Sequence, residues 1–207
     1  MKKRTTMLAL LLATGAGTCL QAQEKLTQFK VRDAITVRTP IMNDSINPKG
    51  EKYADKDLLK TPVVLDLADA PFQVLSTDTA GVLSFPKAEK DHSIYLLETS
   101  LRAERFMTGK LKVTSPARWE IFINGESKMS KENAEDSISG ASTREVNLRL
   151  EPEADYEITI KLLSGSKDKA VPTLKCELIK DDKFKDITCF VSPEQKKRFA
   201  LPNTVYG

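Results

Sequence analysis

From residue 62 onward the chain is a succession of short apolar runs separated by turn formers. Val63-Val64-Leu65-Asp66-Leu67 and Phe72-Gln73-Val74-Leu75 are bounded by Pro and Asp, and Gly81-Val82-Leu83-Ser84-Phe85 ends at Pro86. Ile94 to Leu97, Leu101 to Phe106, Leu111 to Val113 and Trp119 to Ile123 follow. Val146 to Leu150, Tyr156 to Leu162 and Leu174 to Leu178 alternate apolar with polar or charged residues. A period of two places one face of a strand against a core and the other against water. Roughly nine or ten such strands predict an all-β fold, a two-layer antiparallel β-sandwich, jelly-roll-like, over residues 62–190. Asn124-Gly125 after an apolar run signals a two-residue hairpin, because both central residues of a type I′ turn need positive φ. The polar stretch from Ser127 to Thr143 is expected to be a long exposed loop.

Helical periodicity is scarce. Ala54 to Lys60 suits one brief helix, and Ser192-Pro193-Glu194-Gln195 carries an N-cap, a first-turn Pro and a capping-box Gln. Residues 23–61, broken by Pro40, Pro48 and Gly50, are expected to form an extended N-terminal arm. Residues 191–207 are expected to hold the short helix and the start of a linker, since an apolar segment finishing on Gly207 has no mark of a domain end.

The N-terminus changes the picture of charge and location. Lys2, Lys3 and Arg4 precede the apolar run Met7 to Ala13, and small residues lead to Leu20-Gln21-Ala22. This is the pattern of a secretory signal peptide over residues 1–22, cleaved between Ala22 and Gln23. Its apolar run is well below the ~20 residues that span a bilayer, so no membrane span is expected. Lipid anchoring at Cys19 is the rival, but Thr18 fits a lipobox poorly. The leader holds three cations and no acid, so removing it takes the formal charge from +3 to near neutrality. That excludes a basic nucleic-acid footprint. The expected product is periplasmic or secreted, with about 185 residues, enough for one domain with a real core.

Candidate chemistry is thin. His92 is the sole histidine and sits in the polar stretch Lys90-Asp91-His92-Ser93, where it is expected at the surface. Gly140-Ala141-Ser142-Thr143-Arg144 lacks the second glycine of a nucleophile elbow, so no catalytic residue is assigned. The acid pairs Asp66/Asp69, Glu151/Glu153 and Asp181/Asp182 fall in turns or on outward faces, where solvation is the default; a calcium ion at Asp181/Asp182 is the minor alternative. No metal or other cofactor is expected. Cys176 and Cys189 are candidates for a disulfide in an oxidising compartment. Yet Cys176 shares parity with Leu174 and Leu178, where a buried free thiol is common. Trp119 shares parity with Ile121 and Ile123, which makes it a core anchor rather than a platform for stacking a sugar.

Two resemblances add to this reading. The segment from Leu101-Arg102-Ala103-Glu104-Arg105-Phe106 to Trp119-Glu120-Ile121-Phe122-Ile123-Asn124-Gly125 resembles the central strands of galactose-binding-type jelly rolls. The runs Thr39 to Asn47, Leu101 to Phe106, Lys175-Cys176-Glu177 and Lys180 to Asp186 resemble the N-terminal region of exported prolyl-oligopeptidase-family serine peptidases of Bacteroidetes type. That resemblance implies a non-catalytic accessory domain. Its partner would be a downstream propeller and hydrolase domain of the same polypeptide, starting near Asn203 to Gly207. The family's catalytic Ser, Asp and His have no counterpart here. It also implies O-glycosylation at Asp-Ser/Thr-aliphatic sites, namely Ser45, Thr79 and Ser137, with Ser137 favoured. A carbohydrate-binding jelly roll and a stand-alone interaction protein of the cell envelope are the alternatives. When the full chain is expressed in a bacterium that exports it, N-terminal sequencing should begin at Gln23; an uncleaved or Cys19-initiated product would contradict the leader assignment.

Overall fold

The computed structural model describes residues 23–32, 35–37, 46, 49–52, 54–60, 64–66, 72–180, 187–191 and 198–200. Its strands are β1 (Gln23–Lys25), β2 (Gln28–Arg32), β3 (Ile35–Val37), β4 (Val64–Asp66), β5 (Phe72–Ser76), β6 (Val82–Ser84), β7 (His92–Ala103) and β8 (Met107–Thr114). They continue with β9 (Arg118–Ile123), β10 (Glu126–Lys131), β11 (Thr143–Leu150), β12 (Asp155–Gly165), β13 (Thr173–Lys180), β14 (Ile187–Phe190) and β15 (Arg198–Ala200). One helix, α1 (Asp55–Lys60), falls where the sequence predicts it.

Two antiparallel sheets make the sandwich. The first runs β1-β13-β8-β11, with β6 also on β13; the second runs β10-β9-β12-β7-β2-β5, with β3 and β14 also on β7. From β7 to β14 the chain changes sheet at nearly every connection, the winding of a jelly roll. Inward residues of both sheets share one core. Leu111, Val113, Leu148 and Leu178 from the first sheet meet Phe29, Leu97, Trp119, Ile121 and Ile160 from the second. Trp119 is fully buried in this core, as its parity with two isoleucines requires.

The Asn124-Gly125 turn forms as expected, with φ of 51° and 79° at its two central residues. It joins β9 to β10, and Asn124 anchors it to β12: its N–H donates to the Glu157 carbonyl at 2.8 Å and its Oδ1 accepts from the Glu157 N–H at 2.8 Å.

Four expectations change. Residues 23–61 do not form only a peripheral arm, because β2 pairs with β5 and β7, and Leu26 and Phe29 are buried in the core. A five-residue strand with charges on one side carries too few apolar positions to stand out. The loop expected from Ser127 loses its first part to β10, an edge strand with a bulge between Ser127 and Met129. Edge strands tolerate polar sequences because one side of the strand is unpaired. The runs 94–97 and 101–106 belong largely to the single strand β7, which continues through Glu98-Thr99-Ser100, all buried, and stops before the exposed Phe106. Finally, β12 does not wet its second face, since Thr159 and Lys161 are as buried as Ile158 and Ile160. The helix expected at Ser192 to Gln195 lies outside the described residues.

A second apolar cluster explains the last point. Leu58 and Leu59 of α1 cover Ile94, Leu96, Phe122 and Leu163 on the outer face of the second sheet. The central strands β7 and β12 are therefore buried on both faces.

Candidate functional site

A cleft of about 650 Å³ opens on the side of the sandwich where β5 and β6 lie. Val31, Leu75, Phe85 and Tyr95 supply its apolar wall, while Gln73, Lys87, Glu89, Lys90 and Asp91 supply polar groups of both signs. Period-two geometry delivers Val31, Gln73, Leu75 and Tyr95 from the inward faces of β2, β5 and β7. Pro86 stops β6 and turns the chain across the mouth, so residues 85–91 form one wall. The Tyr95 hydroxyl donates to the Pro86 carbonyl at 2.6 Å, and the Phe85 and Tyr95 rings lie 4.7 Å apart at 31°. Burial raises the Tyr95 phenol above its ordinary pKa, so it stays protonated and keeps that hydrogen bond. The β5–β6 turn is also tied down. The Val82 N–H donates to Asp78 Oδ1 at 2.8 Å, and Gly81 takes a φ of 84° that favours glycine.

Three polar clusters lie elsewhere. In the first, Arg118 reaches Asp168 at 2.8 and 2.9 Å and also pairs with Asp55, which lies 3.0 Å from His92 Nε2. Asp168 also accepts from the Gly165 N–H at 2.7 Å. This network pins α1 and the loop after β12 to the ends of β7 and β9. His92 is thus a half-buried bracing residue, with 15 % of its side chain exposed, and not the surface residue expected. The polar turn ends at Asp91, and β7 begins at His92.

In the second cluster, Lys131 donates to the Ser115 carbonyl at 2.8 Å and pairs with Glu135 at 2.9 Å. Burial lowers the Lys131 pKa against the opposing pull of Glu135. Burial works to raise the Glu135 carboxyl, but hydrogen bonds from Ser142 and Lys131 outweigh it and hold the group below its ordinary value. The pair anchors the loop from β10 to β11.

The third cluster is a charged ladder on the covered face of the second sheet. Lys30 lies opposite Glu98, and Lys161 lies opposite Glu120. The Ser127 hydroxyl donates to Glu120 at 2.6 Å. Burial lowers the Lys161 ammonium to about 8, against the raising effect of Glu120. Arg32, beside this ladder, is also lowered by burial while Glu98 opposes the shift.

The residues singled out in the sequence do not converge. Thr79 is exposed in the β5–β6 turn; Ser137 is exposed in the loop before β11, with its Oγ 3.1 Å from Ser139 Oγ. Ser45, Ala22, Cys19, Asp69, Asp181 and Asp182 lie outside the described residues, and Gln23 opens β1. Asp66 lies in β4, opposite Arg198. Glu151 and Glu153 are exposed, and Glu151 accepts from Arg149 at 3.3 Å. Cys176 and Cys189 lie on different sheets and are not bridged to each other. Burial, helped by Glu177, pushes the Cys176 thiol well above its ordinary pKa and leaves it unreactive. Among the described residues no group of three His, Cys, Asp or Glu converges as a metal site, and no helix is long and apolar enough to cross a membrane. The cleft itself went unmarked in the sequence, apart from the Pro86 break that builds its wall.

No protein-family model and no curated protein matches the chain. Among solved structures it is similar to a β-glucosidase from Kluyveromyces marxianus in complex with glucose, at 12% identity and a TM-score of 0.42, over 76% of this chain and 16% of that one. It is similar to a PA14 sugar-binding domain from an RTX adhesin, at 18% identity and TM-score 0.34, over 48% of this chain and 52% of that one. The PA14 domain of the MpAFP antifreeze protein gives 13% identity and TM-score 0.37, over 77% of this chain and 84% of that one. The chain thus spans about a sixth of the β-glucosidase and about half of the adhesin domain. None of these likenesses assigns a family or a function.

The buried ladder makes a pH-dependent prediction. Lys161 titrates near 8 when folded and near 10.5 when unfolded, so between those values the unfolded chain holds more protons and stability rises with pH. Urea midpoints should therefore show the wild type gaining on Lys161→Met across that window, by up to roughly 3 kcal/mol. A constant difference between the two proteins would show that Lys161 is not held in this way.

Proposed function

We propose that the chain is a non-catalytic β-sandwich binding module of an exported protein, and that its cleft takes a small uncharged polyhydroxylated ligand such as a sugar residue. The make-up of the cleft supports this. Its apolar wall of Val31, Leu75, Phe85 and Tyr95 suits the C–H face of a sugar ring. Around the wall, Gln73 offers both a donor and an acceptor, and Lys87, Lys90, Glu89 and Asp91 add both signs. An anionic ligand would be served by a rim of one sign. A nucleic acid would need a basic track, and the mature chain is close to neutral. Trp119, deep in the core, plays no part in this site.

A second reading rests on the segments Leu101 to Phe106 and Lys175-Cys176-Glu177, which resemble exported prolyl-oligopeptidase-family peptidases. In it the module packs against a propeller and hydrolase domain of the same polypeptide. A reading frame that continues past Gly207 into propeller repeats and a Gly-x-Ser-x-Gly motif is its expected signature. The binding reading is tested by titrating the exported chain with a panel of neutral mono- and oligosaccharides in a calorimeter. At least one should bind, and Gln73→Ala should weaken it about tenfold, the loss of one good hydrogen bond. Silence across the panel, or binding unaffected by changes at Gln73 and Lys87, removes the cleft from consideration.

A further inference from the structure

We propose that β11 is a self-complementary edge through which two copies of this chain pair antiparallel, joining their first sheets into one. Strand β11 hydrogen-bonds to β8 over all eight of its residues, and among the described residues no strand lies on its other side. It contains no proline and its pairing with β8 is continuous, so its outer edge is a straight row of main-chain donors and acceptors. Val146, Leu148 and Leu150 point into the core, while Glu145, Asn147 and Arg149 are exposed on the outer face.

The charge pattern selects the occupant. Across the outer face of the first sheet, Lys25, Glu177, Lys112 and Glu145 stand directly opposite one another on successive strands and alternate in sign. One of these contacts is reinforced by an ion pair, Lys112 to Glu177 at 3.8 Å, and Glu145 is also held diagonally by Lys110 at 2.7 Å. The ladder stops on a negative charge at the open edge. A second β11 laid antiparallel, with Asn147 facing Asn147, puts the second copy's Arg149 opposite Glu145, and the symmetric pair does the same. The alternation then continues unbroken across the interface. Directly opposite residues of an antiparallel pair lie on the same face, so in this register Val146 also meets the second copy's Leu148. Registers centred on Glu145 or Arg149 would set like charge against like. Charged edges commonly keep strands apart; here the signs are spaced so that one register of the chain with itself is attractive.

Charge-swap variants test this without relying on the fold of any one of them. Sedimentation velocity of the exported wild-type chain should show a concentration-dependent species of twice the monomer mass. Glu145→Arg and Arg149→Glu, each shown to be folded by circular dichroism, should separately weaken self-association at least tenfold, because each places like charges opposite twice. Mixed in equal amounts they should associate again, since Arg at one position then faces Glu at the other in both pairs. A wild type that stays monomeric overturns the proposal. So does a dimer indifferent to both substitutions, or a mixture of folded variants that does not reassociate.

Discussion

The rest of this structure depends on one pair of strands, β7 and β12, which are hydrogen-bonded along eleven residues and buried on both faces over most of that length. A strand in a two-layer sandwich ordinarily hides one face and wets the other. Here the outer face is covered as well, and it carries both apolar and ionic side chains. The apolar part, Ile94, Leu96, Phe122 and Leu163, is sealed by Leu58 and Leu59 of α1. The ionic part must be matched charge against charge, because an isolated buried ion costs several kcal/mol, on the order of a whole domain's margin. The registers Lys30 to Glu98 and Lys161 to Glu120 supply that match. The covering helix is in turn held by the Asp55, His92, Arg118 and Asp168 network. The polar residues that draw attention as chemistry are thus committed to keeping a doubly buried sheet electrically satisfied.

This explains which parts of the protein were legible in its sequence. The layering was, because β8, β11 and β13 obey the period of two that one covered face imposes, and because Asn124-Gly125 fixes a hairpin by backbone sterics alone. The second covered face was not. Lys161 and Thr159 alternate with Ile158, Ile160 and Leu162 just as solvated residues would, and nothing in the local pattern says that distant segments come back to cover them. His92 was misplaced for the same reason, since its partner Asp55 is far away in sequence and arrives only through the packing of α1. The N-terminal strands were missed because β1 and β2 are short and gain their stability from their neighbours in the two sheets.

The cleft was the least legible feature of all. It exists because the inward faces of β2, β5 and β7 meet a wall turned by Pro86, and no contiguous motif records such a meeting. Its position also separates two uses of the sandwich. The β5–β6 side offers a cavity with mixed polarity, and the β11 side offers a straight main-chain edge. Between them stands the doubly covered centre, so a ligand in the one and a second chain on the other would engage independent surfaces of one frame.

Native-state hydrogen exchange tests the central claim, that the doubly buried β7–β12 pair is the spine on which everything else is assembled. Amides of β7 and β12 should exchange only through global unfolding, with the same free energy as the denaturant-induced transition, while those of β1, β10 and β11 open at lower cost. Amides of β7 or β12 that exchange through a partial opening, while the first sheet remains protected, would contradict it.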